Sequence, residues 1–371
     1  MLRRLTRREG LAMAGAGLLA GGAAPDHAPL DVLARRKGLR FGTALGAEGL
    51  ADRGYLALVA RECGALVAEN EHKLYALKPG APDEWRWAGA DRIAAFAADR
   101  GMFLRGHTLL WNRDEFAPDW LKRQGLGSQA EGERWLTAHV RTVIGRYPQI
   151  RSWDVVNETI DPATGAMRDT VFTRAMGADA VEIAFRAAHE AAPQARLAYN
   201  DYMGWGPSDA KHRAGVLRLL ERLKARGVPI HTFGVQGHIP NGDAGNVVVF
   251  SQADQREWRA FVDEVRGLGL DLVITQLDVN DTVLPADPTR RDAIAAGLVR
   301  DFLDLMLDYR ELKQVLVWGL SDRHSWLQTW WPRPDRLPKR PTPYDAELRP
   351  KAMRAAIADA LRGAPERTPW T

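Results

Sequence analysis

The stretch RSWDVVNETID, residues 151–161, decides how the rest of the chain is interpreted. Its apolar part, residues 153–156, has the composition of a short buried β-strand, and the strand ends in Asn157 and Glu158. A carboxylic acid at the tip of an apolar strand, next to an amide, can take part in catalysis. The same pair can also simply leave the sheet and cap the following segment, so the other strand ends must decide between these interpretations.

Short β-rich runs alternate along the chain with longer segments that have apolar residues at helical spacing. The predicted strands are residues 41–44, 65–69, 103–107, 152–157, 196–200, 232–236, 272–276 and 315–319. The predicted helices include residues 91–100, 131–147, 179–192, 209–226, 254–268 and 291–310. Eight strands in alternation with helices predict an α/β protein with a (β/α)8 TIM-barrel fold. A doubly wound open sheet has the same local pattern, but it would normally have fewer strands and a glycine-rich phosphate turn.

One domain is expected over residues 26–371, because no internal repeat or low-complexity linker interrupts the alternation. Residues 321–350 do not fit it. They are rich in proline and tryptophan, cannot form a helix, and are long for a connection. We expect an ordered, functional loop over the C-terminal face of the barrel.

The N-terminus has the three parts of an export signal. Arg7 and Arg8 precede a Gly/Ala-rich apolar run that is too short to span a bilayer, and small residues suited to cleavage follow. The paired arginines resemble a twin-arginine signal. We therefore expect residues 1–25 to be a signal peptide and the mature protein to be periplasmic or secreted.

Charge and cysteine content exclude several classes of partner. The formal net charge is +4, and residues 1–23 carry +3 of it, which leaves the mature chain near neutral. We therefore expect binding to neither nucleic acid nor a membrane surface, and no later apolar run is long enough for a membrane helix. Cys63 is the only cysteine, so an internal disulfide is excluded, and its apolar neighbours predict a buried side chain. We expect a monomer.

The predicted C-terminal strand ends, where barrel active sites lie, carry carboxylates, amides, imidazoles, a lysine and tryptophans. Without clustered cysteines or paired histidines at helical spacing, neither a metal nor a cofactor is expected. Amides and lysine hydrogen-bond hydroxyl groups, and indole faces stack on sugar rings. The chain has 13 tryptophans. Trp87, Trp135 and Trp258 fit core positions, whereas Trp111, Trp318 and Trp326 adjoin strand ends. These residue types predict a carbohydrate site.

The chain resembles glycoside hydrolase family 10, the family of retaining endo-β-1,4-xylanases, over nearly all of its mature length. The resemblance rests on an ordered set of motifs: ENEHK (69–73), RGHTLLW (105–111), PDW (118–120), WDVVNE (153–158), NDY (200–202), GVQGH (234–238), ITQLD (274–278) and VWGLSDRHSWL (317–327). It implies a barrel that binds xylan or xylo-oligosaccharides in an open, endo-acting cleft. Each motif alone is weak, but the ordered set is specific.

The resemblance also assigns roles to residues. Glu158 matches the general acid/base, and Asn157 matches the residue that hydrogen-bonds the 2-hydroxyl of the cleaved sugar. Tyr202 matches a position near the leaving-group side. The residues that the resemblance assigns to substrate binding are Glu69, Asn70, Lys73, His107, Trp111, Asn157, Tyr202, Gln236, His238, Trp318 and Trp326.

One departure affects the expected chemistry. The family has its nucleophile glutamate at the end of strand seven, and this chain has Gln276 there. A retaining glycosidase needs two carboxyl groups about 5–5.5 Å apart. A neutral amide is a poor nucleophile and supplies no negative charge to the transition state. It also removes an anion that would keep Glu158 protonated, so we expect Glu158 to titrate at lower pH than in a typical member.

Three interpretations of Gln276 remain open. The substitution could be engineered, since Glu to Gln is an isosteric way to trap bound substrate, or the protein could be a natural xylan binder without turnover. Alternatively, Asp278 or Asp322 could partly replace the nucleophile, although Asp278 would lie roughly 6 Å further along the strand. Smaller departures are His72, Leu74, Asn112 and Met203, and a longer loop over residues 111–120. A retaining barrel glycosidase for cellulose or mannan is a further alternative, which the ENEHK and RGHTLLW motifs disfavour.

Overall fold

The structure is a computed structural model that describes residues 28–239 and 250–370. The predicted signal peptide, residues 1–25, lies outside the described residues.

Eight parallel strands close into a barrel, which confirms the predicted (β/α)8 fold. The barrel strands are β1 (Arg40–Leu45), β2 (Ala65–Ala68), β3 (Phe103–Trp111), β4 (Ser152–Asn157), β5 (Arg196–Asp201), β6 (Thr232–Val235), β7 (Asp271–Val279) and β8 (Leu312–Val317). Each strand pairs with the next, and β1 pairs with β8 to complete the ring. An additional two-residue strand, His238–Ile239, pairs with the end of β7 and was not predicted.

The six helices that the periodicity predicts are present, with ends that differ from the prediction by up to three residues, and further helices were not predicted. The helices of the described residues are Leu30–Arg35, Arg53–Glu62, Leu74–Leu77, Ala88–Asp99, Asp119–Gln124, Gln129–Arg146, Val171–Met176, Asp179–Ala191, Ala210–Ala225, Gln252–Gly267, Pro288–Leu307, Leu327–Trp330 and Ala352–Gly363. No helix in the described part of the chain combines the length and apolarity needed to cross a bilayer.

Several predicted boundaries were wrong. β3 continues past His107 to Trp111, because the strand register shifts between His107 and Leu110 and breaks the expected pattern. β7 continues past Gln276 to Val279, so that Asp278 lies inside the strand. The prediction that residues 321–350 contain no helix is wrong for Leu327–Trp330, a single turn that ends before the first proline of the segment.

Apolar side chains fill both layers of the barrel. Every residue of β4 is buried, as expected for a strand covered on both faces, and Cys63 is buried as predicted. Inside the barrel, Ala44, Val67, Val273 and Leu316 belong to one cluster with Trp318 and Trp370. The Trp370 indole donates a hydrogen bond to Asp271 at the start of β7, whereas Trp318 follows the end of β8, so this cluster extends from the N-terminal end of the barrel to its mouth.

A buried polar network lies on β3 and β4. Arg105 and Asp154 form an ion pair of 2.6 Å, and neither side chain is exposed. The other carboxylate oxygen of Asp154 lies 2.9 Å from Nδ1 of His107. Gly106, between the two β3 residues, has no room for a side chain, because a Cβ atom would lie 2.0 Å from the Trp153 ring. This network fixes His107 at the side of the barrel mouth.

Candidate active site

Glu158 follows β4 at the mouth of the barrel and is held there by its backbone. Its amide donates to the carbonyl of Asn200 in β5 over 3.0 Å. Its backbone φ of 54° lies in the left-handed region, which residues other than glycine rarely adopt. Such backbone conformations persist where the surrounding structure enforces them, and they concentrate at functional sites.

The carboxylate of Glu158 is buried but has donors on both oxygens. Gln236 donates to Oε1 over 2.8 Å and Asn157 donates to it over 3.1 Å. Arg113 donates to Oε2 over 3.0 Å, from the loop that follows β3. Burial alone would raise the pKa of Glu158, but the Gln236 hydrogen bond and the Arg113 charge outweigh burial and lower the pKa below its ordinary value. Glu158 is therefore ionised at neutral pH.

Replacing Arg113 with glutamine should raise the pKa of Glu158, because the nearby cation is removed while the carboxylate stays buried. A folded-state pKa below the unfolded value stabilises the protein above the unfolded pKa, and that contribution is lost as the pH falls. The variant should therefore lose stability at neutral pH and approach the wild type in acid. A ¹³C NMR titration of the Glu158 carboxyl group measures the pKa directly.

The matched control for this change is Arg174→Gln. Arg174 lies nearby but pairs with Asp114 and Asp169 at the surface. The Arg174→Gln substitution should leave the pKa of Glu158 unchanged. An Arg113→Gln protein in which Glu158 titrates as in the wild type would contradict the assignment of Arg113.

A chain of amide and hydroxyl groups orients Asn157. Asn200 donates to the Asn157 side-chain oxygen over 2.8 Å, and Thr275 donates to the Asn200 oxygen over 2.8 Å. Because the Asn157 oxygen is an acceptor in this chain, its NH2 group faces Glu158. Gly234 leaves the space for Asn200, since a Cβ atom there would lie 2.3 Å from the Asn200 oxygen.

Gln276 lies in β7 and contacts His238. Its side-chain oxygen is 2.9 Å from Nε2 of His238, and Nδ1 of the same ring is 2.7 Å from Asp278. Both acceptors require a proton on the ring nitrogen that they contact. The Asp278 charge and these hydrogen bonds outweigh burial and raise the pKa of His238. The Gln276 oxygen thus faces Nε2 of His238, and its NH2 group faces away from that ring.

Neither aspartate that could replace a nucleophile has a free carboxylate. Asp278 accepts from His238 on one oxygen and from the Trp326 indole, over 2.7 Å, on the other. Asp322 accepts from Lys351 over 2.9 Å on both oxygens and also from Thr342. Burial raises the pKa of Asp322 to about 6. Both carboxylates hold the loop that follows β8 in place.

The ENEHK segment supplies a polar group beside the indoles. Lys73 donates to the Asn70 side-chain oxygen over 3.1 Å, and its ammonium group lies 4.5 Å from the Trp111 ring and 5.6 Å from the Trp318 ring. Burial lowers the pKa of Lys73 and raises the pKa of Glu69. The His107 and Trp318 rings pack in an edge-to-face arrangement with 5.5 Å between centroids. These residues form one wall of the mouth.

The structure thus brings the predicted site residues to one end of the barrel. Tyr202 belongs there as well, because Arg168 donates to its hydroxyl over 3.1 Å and to the Glu158 carbonyl over 3.0 Å. Arg113, Arg168 and Phe116 were missed by sequence reasoning. The length of the loop over residues 111–120 was the only signal for Arg113. His72 and Asn112, two of the residues that depart from the family pattern, are both buried. His72 packs between Tyr147 and Trp153.

No metal centre competes with this interpretation in the parts of the chain that the structure describes, because no three His, Cys, Asp or Glu side chains are grouped there to hold an ion. A (β/α)8 barrel with a carboxylate, amides and indoles at the C-terminal strand ends defines a carbohydrate-active barrel protein.

The comparisons with known proteins specify the class. The family model described as Glycosyl hydrolase family 10 matches residues 29–360, and the chain belongs to this family. Endo-1,4-beta-xylanase B of Paenibacillus barcinonensis is 33% identical over 307 residues, which cover 79% of this chain and 87% of that protein. Endo-1,4-beta-xylanase 5 of Pyricularia oryzae is 31% identical over 353 residues, which cover 92% of this chain and 80% of that protein.

Solved structures show the same fold. Native xylanase 10B from Thermotoga maritima superposes with a TM-score of 0.79 at 27% identity, and the match covers 90% of this chain and 98% of that one. Xylanase 10B from Thermotoga petrophila in complex with xylobiose gives a TM-score of 0.79 at 26% identity, covering 90% and 97%. The chain is therefore a xylanase-like glycosidase by resemblance.

Proposed function

We propose that the protein binds xylan or xylo-oligosaccharides at the barrel mouth and that Gln276 removes most or all of the hydrolysis. The single observation that carries the proposal is the contact between the Gln276 amide oxygen and His238 at the end of β7. An amide stands where the family resemblance requires the attacking carboxylate. The proposed substrate class comes from the relatives, which are named endo-1,4-beta-xylanases.

The geometry of both candidate catalytic positions supports loss of turnover. On the β7 side, the Asp278 carboxylate is not free to attack the sugar, because its oxygens are held by His238 and Trp326. On the β4 side, Arg113 and Gln236 keep Glu158 ionised, so it has no proton to give to a leaving oxygen at neutral pH. Retaining hydrolysis requires a free carboxylate at the first position and a protonated carboxyl group at the second.

Polar and aromatic side chains at the mouth support the binding half of the proposal. Lys73 and Asn70 offer polar contacts to hydroxyl groups, and Trp111 and Trp318 offer indole surface beside them. Asn157 is oriented by Asn200 to donate beside Glu158. A ligand that is held by such contacts and not cleaved would remain bound as an intact oligosaccharide.

Slow hydrolysis is the second candidate function. It is favoured by the intact partners of Glu158, since Asn157 and Gln236 still contact its carboxylate. The two candidates make the same binding prediction and differ in turnover alone. An engineered, inactivated xylanase would have the same site as a natural binder.

Isothermal calorimetry with xylohexaose tests the binding proposal. The wild-type protein should bind, and Lys73→Met should weaken the affinity about 10- to 100-fold, because hydrogen bonds from charged groups contribute about 1.5–3 kcal/mol. Lys78→Met is the matched control, since Lys78 is also buried but donates to Pro82 and lies over Trp85. No heat with the wild-type protein, or equal losses in the two variants, would contradict the proposal.

We further propose that the protein is exported, on the basis of the arginine pair and apolar run at the N-terminus. Xylan lies outside the cell, so export agrees with the proposed ligand.

A further inference from the structure

A row of aromatic rings connects two loops across the barrel mouth. Phe116, in the loop after β3, stacks on Trp111 with 3.8 Å between centroids and an angle of 12°. Its ring lies 6.0 Å from that of Trp330, in the loop after β8. Trp330 in turn lies 6.2 Å from Trp326, whose indole nitrogen donates to Asp278. The row therefore continues from the centre of the site to its rim.

The row connects loops that follow two separated strands. The strand order around the barrel is β3, β2, β1, β8, so β1 and β2 lie between the strands whose loops carry Phe116 and Trp330. β2 ends directly before Glu69 and Asn70, which the resemblance assigns to substrate binding together with Lys73. Lys73 contacts Trp111, and Phe116 stacks on Trp111, so Phe116 and then Trp330 follow Lys73 along the row.

The tryptophan at the centre of the site is buried, and the tryptophan at the outer end of the row is exposed to solvent. Trp318, which contacts Lys73 and His107, is 6% exposed, whereas Trp330 is 58% exposed. A large apolar side chain in contact with water, continuous with a binding cleft, is typical of a surface that binds a ligand. Arg113 also lies over the Phe116 ring at 5.1 Å, which holds that ring at the rim.

We propose that Phe116 and Trp330 form an outer sugar-binding platform, on which one further pyranose of a β-1,4-linked chain stacks. The occupant is a sugar rather than a protein, because the rings continue the indole wall of the cleft and Trp330 adds an exposed apolar face that carries no charge. The inference rests on the proposed function and extends it by a subsite. It makes affinity depend on chain length.

Trp330→Ala tests the platform. In calorimetry the variant should bind xylohexaose about tenfold more weakly than the wild type, which is a loss of about 1.4 kcal/mol of binding free energy. Its affinity for xylotriose should stay within twofold of the wild-type value. Trp330→Phe should restore much of the affinity for xylohexaose, because it restores an aromatic face. The substituted side chain is exposed, so the protein should remain folded.

Trp331→Ala is the matched control. Trp331 is the neighbouring residue and is 54% exposed, but its ring contacts no other aromatic ring in the described part of the chain. It should not change either affinity. Equal binding of xylohexaose by Trp330→Ala and the wild type would overturn the platform alone, as would equal losses in the Trp330 and Trp331 variants. Failure of the wild type to bind any xylo-oligosaccharide would overturn the proposed function together with the platform.

Discussion

Replacing Gln276 with glutamate should raise kcat/KM for xylan by about a thousandfold or more, which corresponds to roughly 4 kcal/mol of transition-state stabilisation. The variant gains a nucleophile at the position where the family resemblance requires one. The new anion also opposes the ionisation of Glu158, which shifts that group towards the protonated state needed for a general acid. Initial rates with xylan and with an aryl xylobioside measure the effect.

Two controls make this prediction specific. Gln276→Asn keeps the position neutral and should give no activity, so a gain in that variant would show that charge is not the cause. In the Gln276→Glu background, adding Glu158→Gln should abolish hydrolysis of xylan, whose leaving oxygen needs a proton. The same double variant should still form the glycosyl-enzyme from an aryl xylobioside with a good leaving group. A wild-type protein as fast as Gln276→Glu would contradict this account of β7.

The second large effect concerns stability. Asp154→Ala should lower the free energy of unfolding by about 3–5 kcal/mol, because it leaves the Arg105 guanidinium buried without a counter-charge. His107 loses its partner in the same step. Urea unfolding monitored by tryptophan fluorescence and circular dichroism measures the change.

A surface ion pair provides the matched control for Asp154. Asp91 pairs with Arg146 between two helices, and both side chains are 40% exposed. Asp91→Ala should cost about 1 kcal/mol or less, as is usual for exposed pairs. Equal losses in the two variants would contradict the importance of burial for the Arg105–Asp154 pair.

The Asp154 pair also makes stability depend on pH. Burial would raise the pKa of Asp154, but the Arg105 charge and the His107 hydrogen bond outweigh burial and lower the pKa. The stabilisation is therefore present above the unfolded-state pKa and disappears as the pH falls through the folded-state value. The difference in stability between the wild type and Asp154→Ala should shrink in strong acid.

The sequence was sufficient for the barrel, because its strands are short, apolar and regularly separated by helices. The predicted and observed bounds of β4 are identical, since all of its residues are buried and flanked by polar turns. β3 was predicted four residues too short because a register shift interrupts the pattern. Single-sequence periodicity contains no information about such a shift.

The residues at the strand ends were predictable for a similar reason. A parallel barrel brings all C-terminal strand ends to one face, so Glu158, His238 and Gln276 had to meet once the strands were identified. Arg113 and Trp330 were not predictable, because their positions depend on loop conformations and on contacts between loops that follow β3 and β8. The pKa of Glu158 depends on the Arg113 charge as well as on the missing anion at position 276. The sequence predicted the lowered pKa from the missing anion alone.

The most direct test of the account combines binding and turnover in one sample. Wild-type protein at a concentration above its dissociation constant is titrated with xylohexaose in the calorimeter, held for a day at neutral pH, and the sugars are then separated by chromatography. We expect binding heat followed by recovery of intact xylohexaose, with Gln276→Glu yielding short products under the same conditions. Recovery of xylobiose and xylotriose from the wild type at the rate of the variant would contradict this expectation.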